Sequence, residues 1–255
     1  WSIFDECQTT ADVDAIAASL IPQAAGSSEP FWTDGARAVF AGILHYLYQT
    51  NQRANVDVWR ALTLQGRALS DILRTTQGGQ AGWRFIEDWE SKQAAGILSA
   101  MMQYTQVFEL MAAIKSGFAI REWVERGDGW IFVTNYSEIS DTLRPILSLF
   151  LDLAGRKLLG MPDDRDRRIF FIVDEFGTLQ KLSTITRLLT LGRSKGASVW
   201  LGIQDVGQIK KVYGQEHTET ICNSCGTAIT FAVGDPETAE FLSKRIGDAE
   251  FVETE

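Results

Sequence analysis

Two adjacent carboxylates, Asp174 and Glu175, come directly after an unbroken apolar run at residues 169–173. Such a run is typical of a strand that is buried on both faces of a parallel sheet. Ligands of open α/β sheets bind at the carboxyl ends of the strands. There Asp174 can hold Mg²⁺ through its water shell, while Glu175 polarises an attacking water. The structural alternative is that the strand ends in a helix cap, since Asp is a good N-cap residue.

A second apolar run, residues 198–203, predicts another buried strand, and Gln204 follows it directly. Gln204 is therefore expected at the same edge of the sheet as Asp174 and Glu175. Its amide can contact both a water and a γ-phosphate oxygen, so it can report which nucleotide is bound. Acids placed in this way form the Walker B arrangement of nucleotide-hydrolysing proteins. A simpler role for Gln204 is to cap the helix that is predicted to follow it.

Strand and helix patterns alternate four times between residues 130 and 246, which predicts a parallel sheet with right-handed crossovers. The predicted strands are 130–134, 169–173, 198–203 and 228–233. The predicted helices are 143–159, 179–191, 206–213 and 237–246. Gly192 is expected to end the helix at 179–191, and Asp235 is expected to cap the helix at 237–246.

Residues 13–117 carry no strand signal, so we predict a helical subdomain there. Apolar spacing indicates helices at 13–20, 34–48, 56–64, 68–74, 82–89 and 93–114. Thr33 is the expected N-cap of the second helix.

Composition limits the remaining classes of function. The 255 residues can bury a core of one or two domains, and the net charge of −9 argues against a broad phosphate-binding surface. Four basic residues could still form a local stripe that contacts phosphates. The alternative is that they form an ordinary solvated face. These residues are Arg121, Arg126, Lys210 and Lys211. No apolar run reaches about 18 residues, so neither a membrane helix nor a signal peptide is expected. Cys222 and Cys225 are more consistent with buried small residues than with a zinc site.

Several motifs in a fixed order resemble the coupling-protein ATPases of type IV secretion and bacterial conjugation, the TraD/TraG-like family. They are Phe31-Trp32 with Ala36-Arg37-Ala38-Val39-Phe40, WIFVTN at 130–135, Leu143-Arg144-Pro145, IFFIVDEFGTLQKL at 169–182 and LGRSKGASVWLGIQDVGQIKKVYG at 191–214. The resemblance covers nearly the whole chain. Each motif alone is weak, but their combination in this order is specific.

The resemblance implies a hexameric, membrane-anchored motor with a RecA-like P-loop NTPase core that uses ATP and Mg²⁺. Such proteins bring relaxase-bound DNA or effector proteins to components of a secretion channel. By this resemblance Asp174 holds Mg²⁺, and Asp174 and Glu175 bind the nucleotide. Glu175, Gln204 and Arg193 are catalytic, and Arg193 reaches the nucleotide of a neighbouring subunit. The all-α domain inserted in the family corresponds to residues 17–117, with 1–16 at the edge of the nucleotide-binding domain and 118–255 forming its Walker B half. The chain is then a cytoplasmic domain of a bacterial inner-membrane protein.

One family element has no counterpart here. The phosphate-binding pattern G-x-x-x-x-G-K-[ST], or Walker A, occurs nowhere in residues 1–255. We therefore expect the Walker A half and the membrane anchor upstream, and almost no ATP hydrolysis by these residues alone. Two alternatives remain open: a non-catalytic module that recruits cargo, and another RecA-like DNA-pumping ATPase.

Overall fold

The computed structural model describes residues 1–23, 30–115 and 117–247. Within these ranges the chain forms thirteen α-helices and two β-strands. The helices are α1 Thr10–Leu20, α2 Pro30–Gln49, α3 Asn55–Leu62, α4 Gly66–Arg74, α5 Gln80–Trp83, α6 Lys92–Thr105, α7 Val107–Met111, α8 Ile120–Arg126, α9 Ser140–Gly160, α10 Ile185–Leu191, α11 Val206–Tyr213, α12 Gln215–Ser224 and α13 Pro236–Ile246. The strands are β1 Ile169–Val173 and β2 Ala197–Leu201.

The two strands pair in parallel, with Ile169 opposite Ala197 and Val173 opposite Leu201. This pairing confirms the predicted βαβ unit around the acidic pair. Because side chains alternate across a sheet, one face packs into the protein and the other points away from it. Phe171 belongs to the covered face, on which α10 also lies. The opposite face remains largely exposed and carries three large apolar side chains: Phe170, Ile172 and Trp200.

The predicted strands at 130–134 and 228–233 are wrong for the structure as described, since neither segment pairs with another strand. Their apolar side chains are exposed instead, at 84% for Phe132 and 86% for Phe231. An apolar run gives a segment a tendency to form a strand. A ladder also needs a neighbouring strand that supplies hydrogen bonds, and the sequence pattern does not contain that information.

Several predicted helix boundaries shift. Thr33 lies inside α2 and is not its N-cap, because Pro30 is already helical, as a first-turn proline can be. The helix predicted at 82–89 is the short α5 followed by turns, and the one predicted at 93–114 divides into α6 and α7. The helix predicted at 179–191 begins only at Ile185, because the preceding residues bond to other elements. Helices α8 and α12 were not predicted, whereas Asp235 caps α13 and Gly192 ends α10 as expected.

The helical region and the sheet share one continuous core. Buried apolar residues run from the N-terminal turn through α1–α8 into α9 and β1. A second, smaller core lies beyond the acidic pair and consists of Phe176, Leu182, Ile185, Ile209, Tyr213 and Ile221. The domain boundaries near residues 16 and 117 stay a prediction, since α1 packs against both α2 and α9.

Candidate nucleotide site

Parallel pairing brings the carboxyl ends of β1 and β2 together. The hydrogen bonding continues past the strands: the Gly202 N–H donates to the Val173 carbonyl at 2.7 Å, and the Phe176 N–H donates to the Gly202 carbonyl at 2.9 Å. The turn that carries Asp174 and Glu175 is therefore fixed beside the chain that leaves β2. Gln204 lies two residues after Gly202, so it is at the same edge of the sheet as the acids.

The side chains of Asp174, Glu175 and Gln204 are all exposed at this edge. Among the described residues none of the three makes a side-chain hydrogen bond or an ion pair. The alternative roles, in which these residues only cap a helix, do not match this geometry. Asp205 caps α11, since its carboxylate accepts from the Gln208 N–H at 2.7 Å, and neither acid caps the short 3-10 turn Phe176–Thr178.

The acidic turn is held from beneath by aromatic packing. Phe176 is 1% exposed and stacks on Tyr213 with 5.4 Å between ring centroids. The Tyr213 hydroxyl accepts a hydrogen bond from the Leu182 N–H at 3.0 Å. Burial raises the pKa of Tyr213 above its usual value, so its hydroxyl stays protonated over the whole physiological range.

The irregular segment 179–184, which follows the acidic turn, is fixed by Asp152 of α9. The Asp152 side chain is fully buried. One carboxylate oxygen accepts from the Thr184 N–H at 2.9 Å and the Thr184 hydroxyl at 2.7 Å, and the other accepts from the Ser183 hydroxyl at 2.8 Å. Arg156 lies 3.5 Å from the same carboxylate. The sequence interpretation missed Asp152, although an acid within the leucine-rich stripe of a predicted helix is a signal for a buried polar contact.

The exposed acids are suitable donors for Mg²⁺. Mg²⁺ commonly uses one or two carboxylates, retains several waters and takes its remaining ligands from substrate phosphates. No cluster of three or more His, Cys, Asp or Glu side chains able to hold a metal occurs in the described part of the chain. A site built by Asp174 and Glu175 would therefore need phosphate and water oxygens to complete it.

Arg193 is not brought together with the acids. It lies in a short 3-10 segment that precedes β2, at the amino end of the strands, whereas Asp174 and Glu175 lie at the carboxyl end. Its neighbours tie this loop down, since Ser194 and Lys195 both contact the Asp163 carboxylate. The Arg193 side chain is exposed and makes no hydrogen bond or ion pair within the described ranges.

In the part of the chain that the structure describes, the predicted basic stripe and the two cysteines show no features of a reactive or binding site. Arg126 pairs with Asp128, and Lys210 pairs with Glu237, which reduces the basic character of the predicted stripe. Burial raises the pKa of both the Cys222 and the Cys225 thiol, so neither is an activated thiolate. No helix in the described residues is long and apolar enough to span a bilayer.

Comparison with known protein families gives a match along the whole chain. The family described as type IV secretion-system coupling protein DNA-binding domain matches residues 1–255. The coupling protein TraD of Escherichia coli K12 is 27% identical over 261 residues, covering 98% of this chain and 35% of TraD. A conjugal transfer protein TraG of Escherichia coli is 24% identical over 290 residues, covering 99% of this chain and 45% of TraG.

Solved structures of the plasmid coupling protein TrwB have the same fold. The complex of TrwB with ADP and Mg²⁺ superposes with a TM-score of 0.76 at 23% identity, covering 88% of this chain and 53% of TrwB. The complex with a non-hydrolysable ATP analogue gives a TM-score of 0.76 at 24% identity, covering 88% of this chain and 54% of TrwB. The predicted fold class, a RecA-like α/β core with an all-α domain, is thereby confirmed. The chain spans about a third to a half of the length of these relatives.

Proposed function

The chain belongs to the family of type IV secretion-system coupling protein DNA-binding domains, and we propose that it is part of an ATP-hydrolysing motor that drives DNA or protein substrates into a secretion or conjugation channel. One observation carries the catalytic part of this proposal. Asp174, Glu175 and Gln204 project, exposed and unpaired among the described residues, from one edge of the parallel sheet.

Each of these side chains has a distinct task in the proposed reaction. Mg²⁺, when bound, neutralises charge on the β- and γ-phosphates of ATP. Asp174 orients the water shell of the ion, and Glu175 holds and polarises the water that attacks the γ-phosphate. Gln204 can donate to a γ-phosphate oxygen and accept from the attacking water, because its amide carries both kinds of group. Arg193 is proposed to act on the nucleotide of a neighbouring subunit.

Residues 1–255 contain no G-x-x-x-x-G-K-[ST] pattern, so the proposed reaction needs a phosphate-binding loop from outside these residues. Parallel sheets are normally covered on both faces, yet here Phe170, Ile172 and Trp200 are 49%, 64% and 59% exposed. We propose that further α/β segments with the Walker A loop cover this face.

The assembly and location follow from the same proposal. We place residues 17–117 as the all-α domain that contacts DNA, the relaxosome or effector proteins, and 118–255 as the Walker B half of the nucleotide-binding domain. The complete protein is proposed to be a homo-hexamer, anchored in the bacterial inner membrane by segments outside these 255 residues.

A second candidate is a module that recruits cargo without hydrolysing ATP, and the missing phosphate-binding pattern favours it. The two functions separate in the longer protein through Glu175→Gln. A motor keeps its affinity for ATP and loses turnover by about a hundredfold or more, as removal of a general base does. Glu216→Gln, which changes an exposed acid of α12, is the matched control and should keep the wild-type rate. An unchanged turnover for Glu175→Gln contradicts the proposed catalytic role.

A further inference from the structure

Two side chains from distant parts of the chain bind the carbonyl groups at the end of α1. The Gln180 Nε2 donates to the Ser19 carbonyl at 3.0 Å and to the Leu20 carbonyl at 2.9 Å. The Arg37 Nε donates to the Ile21 carbonyl at 2.7 Å. The last carbonyl groups of a helix have no partner within the helix, so these two side chains complete the end of α1.

Gln180 is closely connected to the acidic edge of the sheet. It follows Glu175 by five positions, through the 3-10 turn Phe176–Thr178. The Thr178 hydroxyl donates to the Glu175 carbonyl at 2.8 Å, and the buried Phe176 ring anchors the turn. The Gln180 N–H donates to the Ser148 hydroxyl at 3.1 Å. The connection between Glu175 and Gln180 is therefore short and hydrogen-bonded on both sides.

Arg37 connects the same helix end to the helical body. It belongs to α2, the long helix that packs against α1, α3, α4, α5 and α6. Asp34, one turn earlier in α2, accepts from the Arg37 guanidinium at 3.0 Å and fixes its direction. The end of α1 thus lies between a side chain attached to the acidic turn and a side chain attached to the central helix.

We propose that Gln180 is a positioning residue that couples the nucleotide at Asp174 and Glu175 to the helical body through the end of α1. This inference rests on the proposed function, and it adds the route by which nucleotide state reaches the helices. A shift of the acidic turn pulls on two backbone carbonyl groups of α1 and changes how α1 lies against α2. Loss of the two Gln180 hydrogen bonds uncouples the two regions and leaves the acids themselves in place.

The test compares nucleotide-dependent hydrogen exchange in the longer protein with ADP and with a non-hydrolysable ATP analogue, both with Mg²⁺. In the wild type, backbone amides of α1 and α2 should exchange at different rates in the two states. Gln180→Met keeps the side-chain length and removes both donors, so this difference should fall by about fivefold or more. Basal ATP hydrolysis should stay near the wild-type rate. Ser183→Ala, an exposed hydroxyl on the same segment that contacts α9 and not α1, is the matched control.

A conservative variant separates coupling from stability. Gln180→Lys restores N–H donors at similar reach and should recover part of the exchange difference. A Gln180→Met protein that keeps the full wild-type difference in hydrogen exchange overturns the inference. The inference also fails if this variant loses basal turnover and melting temperature together while its exchange difference survives. A wild type that hydrolyses ATP without any nucleotide-dependent exchange in α1 and α2 also overturns it. A wild type that binds no nucleotide contradicts the proposed function itself.

Discussion

Gly202 lies against the backbone of Asp174 so closely that a Cβ atom at position 202 would be 1.9 Å from the Asp174 carbonyl oxygen. Hydrogen bonds to Val173 and from Phe176 fix Gly202 on both sides. The neighbour is backbone and cannot rotate away as a side chain could. Glycine at 202 therefore permits the close approach that holds the acidic turn at the end of the sheet.

Gly202→Ala should consequently damage the site and the fold together. We expect the free energy of unfolding to fall by about 1–3 kcal/mol, as overpacking does, because the strand ends must separate to admit the methyl group. ATP turnover of the longer protein should fall as well, since Asp174 moves with the strand end. Gly160→Ala is the control, because an added Cβ there meets nothing within 4 Å. Urea denaturation measures the difference, and equal stability of the two variants would contradict the steric explanation.

A second prediction concerns the buried carboxylate of Asp152. Asp152→Ala leaves the Thr184 N–H and two hydroxyl groups without their acceptor, and an orphaned buried donor costs about 1–3 kcal/mol. We expect the free energy of unfolding to fall by about 3 kcal/mol, because more than one donor loses its acceptor. Asp141→Ala, which changes an exposed acid in the first turn of the same helix, should cost about 0.5 kcal/mol or less. Comparable losses of unfolding free energy for the two variants would show that the buried Asp152 carboxylate stabilises the fold no more than an exposed acid does.

The acidic edge could be predicted from the sequence because the information is local. An apolar run followed by polar residues defines a strand and its end, and two such runs with a helix between them predict parallel pairing. Asp174, Glu175 and Gln204 therefore lie at the expected edge. Arg193 lies in the short 3-10 segment that precedes β2. Its relation to a neighbouring subunit depends on an assembly, and a pattern within one chain cannot specify it.

The contacts that connect the acidic edge to the rest of the chain could not be read from the sequence. Gln180 and the end of α1 are separated by 160 residues, and no periodicity links them. The segment 179–184 has helical apolar spacing, yet its N–H groups bond to Ser148, Tyr213 and Asp152, so tertiary contacts override the local preference. The segments at 130–134 and 228–233 have strand-like composition without a pairing partner in the described structure, so composition alone was insufficient.

A third prediction follows from Glu6, which joins the N-terminal turn to α8. Its carboxylate accepts from the Ile120 N–H at 2.6 Å, the Arg121 N–H at 3.0 Å and the Trp1 indole at 2.8 Å. Burial has the largest effect and raises the pKa of Glu6 above its ordinary value of 4.5, although these bonds oppose the shift. Between 4.5 and the raised pKa, the folded state binds more protons than the unfolded state.

The stability of the wild type should therefore fall as pH rises through that window, relative to the Glu6→Gln variant, which does not titrate at this position. The contribution of protonated Glu6 to the free energy of unfolding is fully present below pH 4.5 and is lost above the raised pKa. Urea denaturation of both proteins across this range gives the difference in the free energy of unfolding. Glu122→Gln, an exposed acid on α8, is the control for surface charge. A difference that increases with pH would mean that the hydrogen bonds outweigh burial.

The last prediction distinguishes two roles of Arg193. An arginine that reaches the nucleotide of a neighbouring subunit neutralises charge on the transferred phosphoryl group and raises turnover by roughly 10³-fold or more. An exposed cation at a helix end contributes only about 0.3–1 kcal/mol of stability. The unpaired, exposed side chain in the described structure, at the opposite end of the strands from Glu175, is compatible with action on another subunit. Arg193→Ala should then bind ATP, assemble and hydrolyse almost none.

Mixing variant subunits of the longer protein decides between these roles. Arg193→Ala subunits carry an intact Glu175, and Glu175→Gln subunits carry an intact Arg193. Some interfaces of a mixed assembly therefore combine both functional side chains, and ATPase activity should recover in proportion to the frequency of those interfaces. Each variant alone, at the same total concentration, provides the baseline, and Glu216→Gln mixed with Arg193→Ala controls for dilution by active subunits. Wild-type turnover by Arg193→Ala alone, with no gain on mixing, would leave Arg193 with a purely structural role.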